Sequence, residues 1–221
     1  ILRKNLSVLE FVHSDWTFLN RRLAQHYGVT VGKPLGHELE KVALPAGSRR
    51  GGVMTHASVL KVTANGASTS PILRGKWVCE RILGIEPPPP PKDVPAVEPD
   101  IRGAVTIREQ LAKHRADPSC ASCHRKMDPP GFALESFDVF GGFRERYRAL
   151  GEGEKAGGYG KNGQPFEFHA GPPVDASGEL RGAGAFKGIR DFKTSMSGNA
   201  EDEAKTLSKP EEKNVQDNSK T

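Results

Sequence analysis

With 221 residues the chain is long enough for one or two domains with a sizeable core, and its 25 glycines and 17 prolines predict a compact body with long connections. The net charge of +5 is spread along the sequence without a basic block or an aromatic-interleaved stripe, which argues against nucleic acid as a partner. No apolar run approaches the ~20 residues of a membrane-spanning helix, so no transmembrane segment is predicted.

Residues 1–50 are interpreted as the end of a preceding helical module and its connection. Apolar residues spaced three to four apart predict a helix from about Ser14 to Tyr27, closed by Gly28. The sequence begins with neither an initiator methionine nor a signal peptide. We therefore expect a piece of a larger parent protein, with any export signal upstream.

Residues 51–86 are predicted to be a helical segment. The stretch from Gly51 to Leu60 fits either a short helix or a strand, and we favour a helix. It contains Met54 and His56, two side chains that can bind iron. A second helix is predicted to begin at Ser70-Pro71 and to end at Gly84.

Residues 87–103 are predicted to form a proline-rich strut. The five consecutive prolines from Pro87 to Pro91 favour polyproline II at about 3.1 Å per residue, or roughly 15 Å in all. A ligand for an SH3-type domain is the alternative, but Lys92 and Arg102 are the only basic residues in this stretch that could anchor one. A stiff spacer is therefore favoured.

Residues 104–194 are the predicted cofactor-binding region. Thr106 and Glu109 have the spacing of a capping box, and Asp117-Pro118 is expected to end the helix that they begin. After Pro129-Pro130 we predict a short helix from Phe132 to Phe137. This order places residues 120–124 between two predicted helices.

The C-terminal part is expected to be poor in regular structure. Glycine-rich residues 151–163 predict a flexible loop, and a strand over 165–168 is expected to pair with 174–180. Residues 195–221 are almost devoid of apolar side chains, which predicts a disordered polar tail. The expected fold is mainly α with long loops and a small β element.

The most specific motif is Cys-Ala-Ser-Cys-His, residues 120–124. This is the spacing used to attach c-type haem, in which two thiols bind the vinyl groups of one porphyrin and the histidine binds the iron. The candidate residues are Cys120 and Cys123 for attachment and His124 as an axial ligand. The third cysteine, Cys79, lies in a helical apolar pattern and is interpreted as a packing residue.

Two other chemistries compete for this motif. A structural zinc site needs four ligands, and His114 and His169 would complete one only through an accident of folding. A redox-active dithiol normally follows a strand in a βαβ unit, whereas a helix and Asp117-Pro118 precede this pair. Haem c is therefore the favoured cofactor.

The stretch from about residue 51 to residue 193 resembles the C-terminal region of large, functionally uncharacterised cytochrome c-like proteins of planctomycete-type bacteria. The resemblance implies a cytochrome c-like haem-binding module in an envelope protein, with Cys120 and Cys123 as attachment sites and His124 as axial ligand. It does not imply a reaction, because the family has none firmly assigned. The matching segments are Ala57 to Gly66, Thr69 to Pro71, Arg74 to Trp77, Ile82 to Gly84, the proline run, Pro99 to Gly103, Cys120 to His124, Asp128 to Asp138 and Val174 to Leu180.

The sixth iron ligand is left open by the sequence. Met127 is too close to His124 along the chain to reach the opposite face of a porphyrin. His56 is the preferred candidate and Met54 the alternative, since either segment can fold over the other face. A site without a sixth protein ligand is the third option.

Three functions follow from these residues. The first is electron transfer in the periplasm or cell envelope, with a redox partner protein and other domains of the parent protein as partners and no catalytic residue. The second is a peroxidase-type haem oxidoreductase with an open sixth position, in which His56 or Glu135 would act as acid or base. The third is a structural module that assembles a larger complex. Electron transfer is favoured, and whether the chain is an enzyme stays open.

Overall fold

The computed structural model describes residues 1–66, 68–89, 106–149, 151, 153–159, 164–182 and 184–207. Short 3₁₀ turns lie at Leu2–Lys4, Val8–Phe11 and Val53–Thr55, and a π-helical turn lies at Cys79–Leu83. In chain order the remaining elements are β1 (Trp16–Leu19), α1 (Arg21–Tyr27), β2 (Glu40–Ala43), α2 (Ala57–Val62), α3 (Pro71–Val78), α4 (Ile107–His114), α5 (Pro118–Ala133), β3 (Arg146–Ala149), β4 (Glu154–Tyr159), β5 (Pro165–Pro173), β6 (Gly178–Leu180), β7 (Gly184–Phe186) and α6 (Ile189–Leu207).

The N-terminal part is a strand followed by a helix, so the prediction of one helix from Ser14 to Tyr27 is wrong in its first half. β1 pairs antiparallel with β2. The Asn20 side chain accepts a hydrogen bond from the Leu23 amide at 2.9 Å and starts α1 at Arg21. Gly28, with a φ of 63°, closes the helix as predicted.

Helices α3 and α5 cross in close contact. α3 begins as predicted, with the Ser70 hydroxyl capping it and Pro71 in its first turn. At the crossing each helix presents a glycine. A Cβ on Gly75 would lie 1.8 Å from the carbonyl oxygen of Met127, and one on Gly131 would lie 1.9 Å from that of Pro71. Backbones therefore meet without side chains between them.

Helix α5 continues through Pro129 and Pro130 to Ala133, so the prediction of a separate short helix from Phe132 to Phe137 is wrong. A proline has no amide hydrogen, and Pro130 therefore leaves the Lys126 carbonyl without its partner in the helix. The Cys79 thiol lies 3.6 Å from that carbonyl and donates to it. Cys79 is fully buried, as a packing residue should be, and also compensates for a proline in the neighbouring helix.

The predicted fold class, mainly α with one small β element in a cytochrome c-like module, is wrong. Strands make up about 21% of the structure and helices about 40%. There are three sheets in the described residues: β1-β2, β3-β5-β4 and β6-β7, all antiparallel. This mixed arrangement does not show the helical fold of a cytochrome c.

The two C-terminal sheets differ from the predicted strand arrangement. β4 lies within the expected glycine-rich loop, where Gly157 and Gly158 pair with β5 residues and Gly158 leaves room for the Phe166 ring. β5 pairs with β3 and β4, and β6 pairs with β7, so the predicted pairing of 165–168 with 174–180 does not form. Local alternation indicated strands but not their partners.

Helix α6 crosses the predicted start of the disordered tail at residue 195 and continues to Leu207. Its first turns are fixed because Phe192 and Lys193 are fully buried and Met196 is 9% exposed. Residues 208–221 and most of the strut, residues 90–103, lie outside the described residues. The main core cluster joins residues from Met54 to Met196, and the division of the chain into five segments stays a prediction.

Candidate functional site

The predicted attachment residues lie on the first half of α5. Cys120, Cys123 and His124 are separated by three and one positions, so they share one side of the helix. None of the three cysteines, all of which the structure describes, forms a disulfide, and Cys120 and Cys123 are partly exposed whereas Cys79 is buried. The two thiols are thus adjacent and accessible, which is what attachment to one porphyrin requires.

His124 is held by a carboxylate one turn further along α5. Its Nδ1 lies 2.8 Å from Oδ1 of Asp128, and the residues are 8% and 0% exposed. An ionised carboxylate only accepts hydrogen bonds, and we therefore assign the proton of the neutral ring to Nδ1 and its lone pair to Nε2. A histidine that binds a metal normally donates its other ring N–H to such a partner. This contact therefore leaves Nε2 as the ring atom of His124 that is available to bind a metal.

Helix α4 covers this pair from the side. The predicted capping box is confirmed: the Thr106 hydroxyl accepts from the Glu109 amide, and the Glu109 carboxylate accepts from the Thr106 amide. Ile107 and Leu111 are buried against Phe132 of α5. The packing of α4 on α5 thus fixes what the end of α4 presents to the motif.

The end of α4 brings a ring and a cation to the motif. The His114 ring meets the His124 ring edge-on at a centroid distance of 4.9 Å. Nε of Arg115 lies 3.6 Å from Oδ2 of Asp128, too far for a good hydrogen bond but close enough for an ion pair. That oxygen is buried without a hydrogen-bond partner in the described structure. Oδ1 of Asp128 is therefore hydrogen-bonded to His124, whereas Oδ2 has only the longer ionic contact with Arg115.

The far end of α5 is fixed by a buried ion pair. Arg74 and Glu135 are both fully buried, and Nη1 of Arg74 lies 3.2 Å from Oε1 of Glu135 and 2.7 Å from the Leu134 carbonyl. The other carboxylate oxygen accepts from Thr69 at 2.7 Å and from Arg144 at 3.2 Å. Glu135 is occupied by these contacts, and its environment does not suit the acid or base of the peroxidase hypothesis.

The second hydroxyl around Glu135, after that of Thr69, belongs to Tyr147, at 3.3 Å from Oε2. Burial, followed by the Glu135 charge, raises the pKa of Tyr147 well above its usual range. The phenol therefore stays protonated and acts as a donor. The network at this end of α5 is structural.

The two candidates for the sixth ligand lie elsewhere. Met54 is fully buried in the main core cluster with Leu60 and Phe137. His56 lines a largely apolar cavity of about 770 Å³, whose lining does not include Cys120, Cys123 or His124. Burial, followed by the Arg50 charge, lowers the pKa of His56. The structure does not bring either residue together with the motif, and the sixth ligand stays a prediction.

The zinc alternative receives no support from the geometry. His169 lies on β5, with Nδ1 3.0 Å from the Gly153 carbonyl. Within the part of the chain that the structure describes, no three His, Cys, Asp or Glu side chains converge as a metal site. Haem c does not need such a cluster, because the porphyrin itself supplies four iron ligands and the protein adds the axial ones.

Sequence reasoning missed Asp128 and Arg115 as parts of this site. The spacing of His124 and Asp128, i and i+4, is a signal that could have indicated their contact on a helix. Arg115 carries no comparable signal, since its position depends on how α4 packs on α5.

A family model matches residues 50–147, just under half of the chain. The family is PSCyt3, a protein of unknown function (DUF1588), whose name denotes planctomycete-type cytochrome c-like domains. The matched stretch includes both glycines of the helix crossing, the Arg74–Glu135 pair and the whole motif, and is narrower than the resemblance expected from the sequence. Neither the comparison with curated proteins nor that with solved structures gives a match.

Among the described helices, none has the length and apolarity needed to span a bilayer.

Proposed function

We propose that this chain carries one covalently attached haem c and serves in electron transfer. Cys120 and Cys123 would form the thioether bonds, and His124 would bind the iron through Nε2. A bound haem c supplies one-electron transfer at its iron. The protein's own part is to present two thiols on one helical face and to hold the imidazole in a single tautomer and orientation.

The observation that carries the proposal is the arrangement on α5. Two accessible thiols stand next to a buried histidine whose Nδ1 is anchored on Asp128 at 2.8 Å. The thiol–disulfide exchange of a redox dithiol does not require a histidine held in one orientation, and a zinc site would need further ligands. The family match over residues 50–147 supports the same cofactor by its name.

Electron transfer is favoured over peroxidase chemistry by the positions of the acid and base candidates. Glu135 is fully buried and paired with Arg74 and Arg144. His56 lines a cavity that the motif residues do not share. A peroxidase-type site would need one of them beside the iron.

We further propose a cellular location and partners for this chain. Haem c is attached outside the cytoplasm, so we place the chain in the periplasm or cell envelope. A redox partner protein and further domains of a larger planctomycete-type parent protein complete the proposal.

The test is expression of the full chain together with a haem c maturation system. Intact mass should increase by one haem, and the alkaline pyridine spectrum should show two thioether-linked positions. Cys120→Ala and Cys123→Ala should each lose one thioether signal, and the double variant should lose covalent haem. Cys79→Ala is the matched control, because its thiol is buried against the Lys126 carbonyl and should not affect attachment. An unmodified mass for the wild-type chain would refute the proposal.

A further inference from the structure

We infer that Asp128 is a positioning residue that sets the electronic character of His124 as an iron ligand and thereby lowers the reduction potential of the site. The inference rests on the proposed function for its effect on potential. The hydrogen bond on which it depends is a property of the chain itself. It assigns a role to Asp128 that the motif alone does not contain.

The first step is the direction of the hydrogen bond. Asp128 is fully buried, and its Oδ1 lies 2.8 Å from Nδ1 of His124, a short distance typical of a charge-assisted bond. The carboxylate accepts, so His124 donates from Nδ1. Both residues belong to the same continuous helix at i and i+4 spacing, which makes the contact rigid.

The second step is the effect on the ligand. A carboxylate that accepts the N–H of a metal-bound imidazole makes the ring a stronger electron donor. Stronger donation favours the oxidised iron over the reduced iron and lowers the reduction potential. A neutral acceptor, such as a backbone carbonyl or an amide side chain, would have a weaker effect.

Two arginines of the α4 segment lie near the Asp128 carboxylate and affect its charge. Arg115 lies 3.6 Å from Oδ2, and the His114 ring packs edge-on against His124. Arg108, also on α4, interacts electrostatically with the same carboxylate. The arginines partly offset the negative charge, so removing Arg115 should strengthen the effect of Asp128 and removing Asp128 should abolish it.

The experiment compares two variants of the haem-loaded chain by spectroelectrochemical titration. Asp128→Asn keeps the size and an acceptor oxygen but removes the charge, and we expect a positive shift of the reduction potential. Arg115→Gln keeps the His124 contact, and we expect a negative shift or none. If Asp128 only helped α4 to pack on α5, both variants would disturb the same contact and shift the potential in the same direction. A shift of the same sign in both, or no positive shift in Asp128→Asn, overturns the inference.

A second measurement separates this inference from the proposed function. Nitrogen NMR of the full chain without haem reports which ring nitrogen of His124 carries the proton. We expect the Nδ1–H tautomer in the wild type and a smaller population of it in Asp128→Asn, because a neutral amide oxygen is a weaker acceptor than a carboxylate. A wild-type Nε2–H tautomer overturns the inference, whether or not haem attaches and whether or not the variant folds. Failure of haem attachment with the Nδ1–H tautomer present refutes the proposed function alone.

Discussion

The helix crossing at Gly75 gives the sharpest test of how the motif helix is held. An alanine Cβ there would lie 1.8 Å from the Met127 carbonyl oxygen and 2.7 Å from its carbonyl carbon. Ordinary van der Waals contact begins at 3.4 Å, so α3 and α5 must separate by 3.4 − 1.8 = 1.6 Å at this point. The atom in the way belongs to a helical backbone and cannot rotate aside.

The cost of this separation outweighs the gain in helix propensity. Overpacking of a tight interior costs about 1–3 kcal/mol, and a gap of ~1 Å elsewhere along the crossing forfeits up to about half of the dispersion energy of the affected contacts. Alanine gains about 1 kcal/mol over glycine inside a helix. We expect Gly75→Ala to lower the free energy of unfolding by about 3 kcal/mol, or about 6–12 °C in Tm for a chain of this size.

The assay is equilibrium urea unfolding followed by far-ultraviolet circular dichroism. Gly198→Ala is the matched control, because Gly198 lies inside α6 with nothing within 4 Å of its Cβ position, and it should be neutral or stabilise by up to about 1 kcal/mol. Gly131→Ala, whose Cβ would lie 1.9 Å from the Pro71 carbonyl oxygen, should behave like Gly75→Ala. The double variant should cost less than the sum of the two, since one separation relieves both clashes. Equal unfolding midpoints for Gly75→Ala and Gly198→Ala would refute the reasoning.

Three further predictions use other contacts. The pKa of Lys193 is lowered from 10.5 to about 8 by burial and then by Arg50, so between these values the unfolded chain binds a proton that the folded chain does not. The free energy of unfolding should therefore rise with pH from about 8 to 10.5, and pH-dependent urea titrations of Lys193→Met should lack that rise. Glu135→Gln leaves the buried Arg74 charge without its partner, and a loss of about 3 kcal/mol is expected by urea unfolding; a loss below about 1 kcal/mol would contradict the network. Thr106→Ala should cost about 1 kcal/mol through loss of the α4 cap, with Thr106→Ser as the unaffected control.

The helix starts capped by Ser70 and Thr106 were the part of the fold that the sequence predicted best. Ser70 with Pro71 and Thr106 with Glu109 act within one turn, and the structure confirms both caps. Such signals depend only on neighbours along the chain. They are therefore independent of how the helices pack.

The errors occurred where distant contacts decided the structure. Apolar residues from Trp16 to Tyr27 keep a helical spacing, but pairing with β2 makes the first four residues a strand. The glycines of β4 have low strand propensity, yet pairing with β5 and the Phe166 ring compensates for it. In the same way, the candidate site could be located from the five residues 120–124. The position of Arg115 beside it follows only from the packing of α4 on α5.

Helix α5 connects the two chemically distinct parts of the candidate site. Its first half carries partly exposed thiols and a histidine oriented by Asp128, and the chain just beyond its last half is fixed by the buried Glu135. Between them the helix lies backbone to backbone on α3, where no long side chain can rearrange. Because the same rigid element holds His124 and is anchored in the core, a change at the crossing should reach His124. Gly75→Ala, made in the haem-loaded chain, should therefore alter the absorption spectrum of the site, whereas Gly198→Ala should leave that spectrum unchanged.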